Sequence, residues 1–332
     1  MTFRGGRWNL RPAALRKVGF MSISVVVPTH DEGEMLRTTV TALLASLPAD
    51  AEVVVVDDQS SDDSTKGLDA VPRLRVIRPP GRIGVAAARN LGAHAAAGSL
   101  LVFSDAHVEP DADWAGHFER ALADPSVGAV GPAMVAMGSP SDAGYGRRWK
   151  DAALNAQWMP RRAAYPYPVP MLGGGFLAMR REVFEQTGGF DTGLLLWGGE
   201  DLELCARLWM LDYACLVLPA VRVAHLFRTR SPYPVPWELV LHNLLRIACV
   251  HFSDPALTRV VTSLRGHPAF PAALIRLLDS DVWTRRESVR ARRAHDDDWY
   301  LTRFGMDLPI VSGPSLGHRP VSPARARGGS DS

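Results

Sequence analysis

The sequence predicts an α/β fold, a mainly parallel sheet flanked by helices, with a helical C-terminal extension. Three observations predict it. Short continuous apolar runs alternate with segments of helical spacing, the pattern of a sheet covered on both faces. The apolar runs end in polar residues, at Thr29-His30-Asp31-Glu32, at Asp57-Asp58 and at Asp105-Ala106-His107. From Pro236 onward strand patterns cease and helical ones take over.

Each element follows in order. Ile23 to Val27 is a β-branched run that ends at Pro28. Met35, Val40, Leu43, Leu44 and Leu47 recur at helical spacing, so Glu34 to Leu47 reads as a helix. Val53 to Val56 is a buried strand running into Asp57-Asp58, and Leu74 to Ile77 is another. Gly84 to Ala97 is Ala-rich and helical. Leu100 to Phe103 is a fourth strand, followed by Ser104-Asp105-Ala106-His107. Ala220 to Val223 reads as a strand, and the apolar positions Leu202, Ala206, Leu208, Trp209 and Leu211 as a helix opened by Glu200-Asp201. Trp237 to Phe252 and Pro255 to Leu264 are helical, and Arg285 to Arg293 is a basic helical stretch. In open sheets of this kind ligands bind beyond the carboxyl ends of the strands, which is where the polar residues sit.

Composition narrows the function. The 332 residues carry 37 Lys+Arg against 35 Asp+Glu, a net charge of +2, which argues against a dedicated nucleic-acid binder. Cys205, Cys215 and Cys249 cannot build a disulfide framework and lack zinc-ligand spacing, so free thiols in a reducing, cytoplasmic setting are expected. No run of ~18 apolar residues suggests a membrane span. Residues 1–20 hold Arg4, Arg7, Arg11, Arg16 and Lys17 with no acid, and no apolar core of a signal peptide follows; they read as a basic, flexible arm. Residues 312–332 are Gly, Pro, Ser and Arg and read as a disordered tail. The expected organisation is thus an arm (1–20), a sheet domain (21–235), a helical extension packed on it (236–311) and a tail (312–332).

Four motifs carry chemistry. Asp105 and His107, two apart on an extended segment, point to one side and can share a divalent ion. A mixed oxygen and nitrogen pair suits manganese better than calcium. Taken alone, the same Asp could simply cap the next helix. Gly173-Gly174-Gly175 lets a ligand approach the backbone closely, and Trp197-Gly198-Gly199-Glu200-Asp201 adds a flat apolar wall and two acids. Acids in a first helical turn also serve the helix dipole. His225, after the Ala220–Val223 strand, is a candidate third metal ligand, with Arg228 placed to hold a phosphate. Arg82-Ile83-Gly84 and Arg89 flank a helix N-terminus, a natural anion site.

In this order the segments resemble the catalytic domain of the polypeptide N-acetylgalactosaminyltransferases, glycosyltransferases of GT-A fold (the Rossmann-like nucleotide-diphospho-sugar transferase fold) that use UDP-GalNAc and manganese. Asp105-x-His107 is similar to that family's D-x-H. Pro170 to Phe176 resembles its glycine segment, Trp197-Gly198-Gly199-Glu200 with Glu203, Arg207 and Trp209 its W-G-G-E helix, and His225-Leu226-Phe227-Arg228 with Pro232-Tyr233 its H-V-F-R…P-Y segment. Trp299-Tyr300-Leu301 resembles its closing W-Y-L. The likeness spans about residues 22–310.

The resemblance implies a UDP-sugar-dependent hexosyl- or hexosaminyltransferase. Asp105, His107 and His225 would bind Mn²⁺ or Mg²⁺. Thr29, Glu32, Asp58 and Arg82 would face the nucleotide, with Gly84 and Ser104 beside them. Arg228 and Tyr233 would meet the diphosphate from a loop that closes over the donor. Arg89, Gly174, Gly175 and Glu200 would contact the donor sugar, and Trp197 would line the site. The chain departs from the family at Asp201, where the family has Asn. W-G-G-E-D occurs in inverting GT-A enzymes in which that Asp is the base, so the stereochemical outcome stays open. Neither the family's membrane anchor nor its lectin domain is expected here. Peptide, natural-product and glycan acceptors are all compatible, GalNAc is the default sugar, and no nucleic-acid partner is expected. The alternatives are an inverting transferase using Asp201 as base on a polysaccharide or small molecule, and a UDP-sugar-binding protein without turnover. A nucleotidyltransferase or a nicotinamide dehydrogenase does not fit, because the loop Pro28–Gly33 lacks a glycine-rich phosphate signature.

Overall fold

A computed structural model describes residues 21–228 and 233–311. The expected arm and tail, and Pro232 of the expected closing loop, lie outside the described residues. Strands β1 (Ile23–Thr29), β2 (Glu52–Asp57), β3 (Leu74–Ile77) and β4 (Leu100–Ser104) run parallel in the order β3-β2-β1-β4. Helix α1 (Glu34–Ser46) joins β1 to β2, and helix α2 (Gly84–Ala95) joins β3 to β4. The sequence reading ended β1 at Pro28, but Pro28 lies inside it, opposite Val56. Proline is tolerated there because pairing of β1 with β4 has already stopped at Val26. Helix α2 lies close on the sheet at Gly92: a Cβ there would come 2.3 Å from Val26 Cγ1.

The chain then adds β5 (Val108–Pro110), helix α3 (Trp114–Leu122), β6 (Val127–Ala136) and β7 (Ser139–Gly144). A separate antiparallel ribbon follows, β8 (Arg147–Trp149) with β9 (Ala156–Trp158). After β10 (Tyr167–Pro168), β11 (Phe176–Arg180) inserts antiparallel between β4 and β6, and helix α4 (Arg181–Thr187) follows it. Helix α5 (Glu200–Met210) and the long strand β12 (Ala214–His225) complete this part. The sheet order is β10-β12-β6-β11-β4-β1-β2-β3, with β5 pairing β12 and β7 pairing β6. In that path only β10 and β11 run against the rest, so the sheet is mixed and mostly parallel.

Five helices follow: α6 (Trp237–His251), α7 (Asp254–Leu264), α8 (Phe270–Leu278), α9 (Val282–Arg292) and α10 (Asp297–Phe304). The sequence reading had no helix at α8 or α10. Both are short, and helices of this length are held by tertiary packing. Tyr300 of α10 is buried against Trp149 and donates a hydrogen bond to the Pro170 carbonyl at 3.1 Å. One apolar cluster runs from Val26 and Phe103 in the sheet through Trp209 to Leu245 and Tyr300 in the helices.

Candidate active site

The carboxyl ends of β1, β2 and β4 open into a cavity of about 460 Å³, lined from the opposite side by the Trp197–Leu202 turn, the β8–β9 ribbon and Leu226–Arg228. The open-sheet rule on ligand placement is met.

Asp58, just past β2, accepts hydrogen bonds from the backbone N–H of Ile83 (2.6 Å) and Gly84 (3.0 Å), so its carboxylate caps the start of α2. Gly84 itself does not line the cavity. It has φ +79°, and a Cβ would meet the Leu196 backbone at 2.8 Å, so glycine is required for the turn rather than for ligand contact. Arg82 lies beside Asp58 at 3.8 Å and over the Tyr233 ring at 4.9 Å. Tyr233 packs edge-on against His30, whose Nδ1 donates to the Asp58 carbonyl at 2.8 Å. Thr29 is buried, and its hydroxyl has no hydrogen-bond partner.

The three expected metal ligands converge: one donor atom each from Asp105, His107 and His225 lies within 4.8 Å of the others. Strand topology does this. Strand β12 pairs with β6 as far as His225, and over Val223 to His225 it also pairs with β5 on its other edge, where His225 stands opposite Val108, next to His107. Leu226 N–H then donates to the His107 carbonyl at 3.1 Å. His225 Nε2 is 3.1 Å from Asp105 Oδ2. Burial would raise the Asp105 carboxyl, but the hydrogen bond from His225 and the charge of Arg89 outweigh it and hold it well below the usual carboxylate range. Burial pushes the His225 imidazole down, toward the neutral form that ligates metals, against the pull of Asp105. The buried His225 Nδ1 has no hydrogen-bond partner. One carboxylate and two imidazoles fit a divalent transition metal and not calcium.

Arg89 is the hub behind this group. It is 1% exposed, and its guanidinium donates to Glu200 Oε1 (2.9 Å), Asp105 Oδ1 (3.0 Å) and the Gly174 carbonyl (2.8 Å). The sequence reading had Arg89 reaching for a sugar; here it is a buried strut tying Asp105 to helix α5. Glu200 is buried with its Oε2 unpartnered. Burial and then the neighbouring Asp201 push its pKa up to about 7, against the opposing charge of Arg89. Asp201 accepts from Gly174 N–H at 2.7 Å and Leu202 N–H at 2.8 Å, and lies 3.7 Å from Arg147 Nη1. Gly174, Gly175 and Trp197 line the cavity as expected. Ser104 does not: it is fully buried, and its hydroxyl turns back to the Asp105 carbonyl. Arg228 is engaged by Glu32 through two hydrogen bonds, and Glu32 also sits 3.3 Å from His107.

Several residues escaped the sequence reading. Arg147 and Trp158 of the ribbon line the cavity. Helix α6 grips the turn before Glu200: Asn243 accepts from Leu195 N–H and donates to the carbonyls of Leu195, Trp197 and Gly198. Arg246 makes two hydrogen bonds to Asp191. The legible signal was His242, Asn243 and Arg246 within the otherwise apolar stretch Leu239 to Val250.

Two family models match the chain: residues 24–188 match Glycosyl transferase family 2, and residues 160–230 match the N-terminal domain of galactosyltransferase. Over residues 24–188 the chain carries a glycosyl transferase family 2 domain, and its fold is of GT-A type. The chain is 29% identical over 325 residues to polypeptide N-acetylgalactosaminyltransferase 11 of Xenopus tropicalis, covering 90% of this chain and 52% of the relative. It is 30% identical over 329 residues to polypeptide N-acetylgalactosaminyltransferase 10 of Rattus norvegicus, covering 92% and 52%. The chain thus spans about half the length of these curated relatives. The crystal structure of GalNAc-T7 with UDP, GalNAc and Mn²⁺ superposes with a TM-score of 0.75 at 24% identity, over 86% of this chain and 57% of that one. Among the described residues, no helix is long and apolar enough to cross a membrane.

Proposed function

We propose that this chain transfers a sugar, GalNAc by default, from a UDP-sugar to a hydroxyl acceptor such as a peptide, with Mn²⁺ or Mg²⁺. The observation that carries the reading is the Asp105–His107–His225 cluster at the carboxyl edge of the sheet, tied through Arg89 to Glu200. Relatives named as polypeptide N-acetylgalactosaminyltransferases support the donor and acceptor classes. The three buried free cysteines support a reducing, cytoplasmic setting. The catalytic part in this reading is 21–235, braced by 236–311.

Asp105, His107 and His225 would hold the cation, which when bound supplies positive charge to the diphosphate leaving group. Asp58, Arg82, Thr29 and Tyr233 form the nucleotide end of the cavity. Arg228 must exchange Glu32 for a phosphate, since Glu32 now occupies its donors. Arg89 holds Glu200 and Asp105 in register, and Trp197, Gly174 and Gly175 wall the sugar subsite. Asp201 keeps lone pairs free beside its two backbone hydrogen bonds, which supports a second reading in which it takes the acceptor proton in an inverting transfer.

The test is a screen of UDP-sugars for UDP release with and without acceptor, followed by NMR of the anomeric linkage. EDTA is expected to lower release at least ~100-fold, with Mn²⁺ restoring it. Tight UDP-sugar binding without release under any acceptor would instead favour a non-catalytic binding protein. A second expectation concerns α6. Asn243→Ala removes the amide that holds the part-buried carbonyls of Leu195, Trp197 and Gly198 and lets the Trp197–Gly199 turn drift. A drift of about 1 Å should cost roughly 100-fold in kcat/KM, while circular dichroism stays native.

A further inference from the structure

Among the described residues four arginines line the cavity, and they differ in how their donors are used. Arg89 uses both terminal nitrogens on Glu200, Asp105 and Gly174, its buried Nε being unpartnered, and Arg228 uses both of its own on Glu32. Arg82 and Arg147 donate no side-chain hydrogen bond among the described residues. Arg82 stands beside Asp58 at the nucleotide end. Arg147 stands beside Asp201, on the β8–β9 ribbon that walls the cavity away from β1 and β2.

Arg147 is fixed in place without being spent. Its backbone N–H donates to the Met171 carbonyl at 2.7 Å, and its guanidinium lies 5.4 Å from the centre of the Trp158 ring. Its Nε is buried with no hydrogen-bond partner, and its side chain is 23% exposed to the cavity. The 3.7 Å to Asp201 is too long for a hydrogen bond. The surrounding chain is cationic: residues 147–162 contain Arg147, Arg148, Lys150, Arg161 and Arg162, and their one acid, Asp151, is buried and occupied by Ala153 N–H and Asn155. Arg161 and Arg162 are exposed and follow Trp158 by three and four residues, no more than about 14 Å of chain.

We infer that Arg147, stacked on Trp158, is an anion subsite that selects hydroxyl acceptors carrying a carboxylate next to the reacting hydroxyl. This deepens the proposed transferase reading and rests on it. A carboxylate would take the open guanidinium donors, and planar Arg geometry suits a bidentate contact. Asp201, beside Arg147, then faces the acceptor hydroxyl rather than the donor phosphates. Arg161 and Arg162 extend the same positive field outward, toward approaching acidic chains.

The experiment measures UDP release from UDP-GalNAc with Mn²⁺, using three threonine peptides flanked by glutamate, glutamine or lysine. For the unaltered protein the glutamate peptide should exceed the lysine peptide at least ~10-fold in kcat/KM, chiefly through KM. Arg147→Gln should collapse that ratio toward one, Arg147→Lys should keep part of it, and Arg147→Glu should turn the preference toward lysine. The ratio is internal to each variant, so a change in folded fraction cancels. Equal use of the three peptides, no peptide raising release above water, or a rise in UDP-GalNAc KM shared by all peptides in Arg147→Gln would overturn the inference while leaving the donor site standing. Absence of metal-dependent UDP release from every UDP-sugar would overturn the transferase reading itself, and this inference with it.

Discussion

Asp105→Ala is expected to lower turnover by roughly 1,000-fold or more, an effect of about 4 kcal/mol on the barrier. The loss has two sources in the same side chain. Asp105 Oδ2 faces His225 in the metal-ligand group, and Oδ1 accepts from the buried Arg89. Removing the carboxylate takes away the one anionic member of the donor set. It also leaves Arg89, 1% exposed, with Glu200 as its remaining carboxylate partner. Asp105→Asn preserves shape and separates these effects: it should retain the fold and the Arg89 contact but bind Mn²⁺ weakly. Steady-state UDP release, with Mn²⁺ binding followed by electron paramagnetic resonance, measures both. Turnover of Asp105→Ala within tenfold of the unaltered protein would sink the metal-assisted scheme.

The largest stability effect should come from Glu203. Glu203, Arg207 and His251 are all buried within the core. Glu203 accepts from Arg207 Nε at 2.8 Å and Nη2 at 2.9 Å, and its Oε1 is 2.8 Å from His251 Nε2. Arg207 also donates to the carbonyls of Thr187 and Gly189, pinning the chain that leads to the Trp197 turn. Glu203→Ala strands a buried guanidinium, which costs about 3–5 kcal/mol. For a chain of this size that lowers Tm by roughly 10 °C. Differential scanning calorimetry at pH 7 is the measurement.

The same group sets a pH dependence. Burial alone would raise the Glu203 carboxyl, but Arg207 and the hydrogen bond with His251 outweigh it and hold its pKa well below the ordinary 4.5. The unfolded chain therefore binds a proton in a range where the folded chain does not. The stability this carboxylate contributes is fully present above about pH 4.5 and is lost as pH falls below that value. Glu203→Gln should flatten the acid limb of a Tm-against-pH curve between pH 6 and 3. An unaltered slope would mean that other carboxylates govern acid unfolding.

The strand ends were legible because burial on two faces forces continuous apolar runs, and a break in such a run marks where the sheet meets solvent. Asp58, Asp105 and His107 announced themselves in this way. Glu200 and Asp201 stood out because two acids opening an apolar helix behind Gly198-Gly199 are conspicuous. Helices α8 and α10 were missed because they are short: the apolar stripe of α8, Phe270, Ala273, Leu274 and Leu277, spans only about two turns.

The local sequence by itself determined the α/β alternation, the polar strand ends and the residue types of a carboxylate–imidazole site, since each follows from periodicity or from neighbours a few residues apart. Only the tertiary structure decided which of these meet. The register of β12 against β5 brings His225 to Asp105 across 120 residues. Burial turned Arg89 from an open cation into a strut, and the separate β8–β9 ribbon delivered Arg147 to the cavity wall. Such pairings are made between segments far apart in the chain, and no local pattern records the partner that a folded backbone will supply.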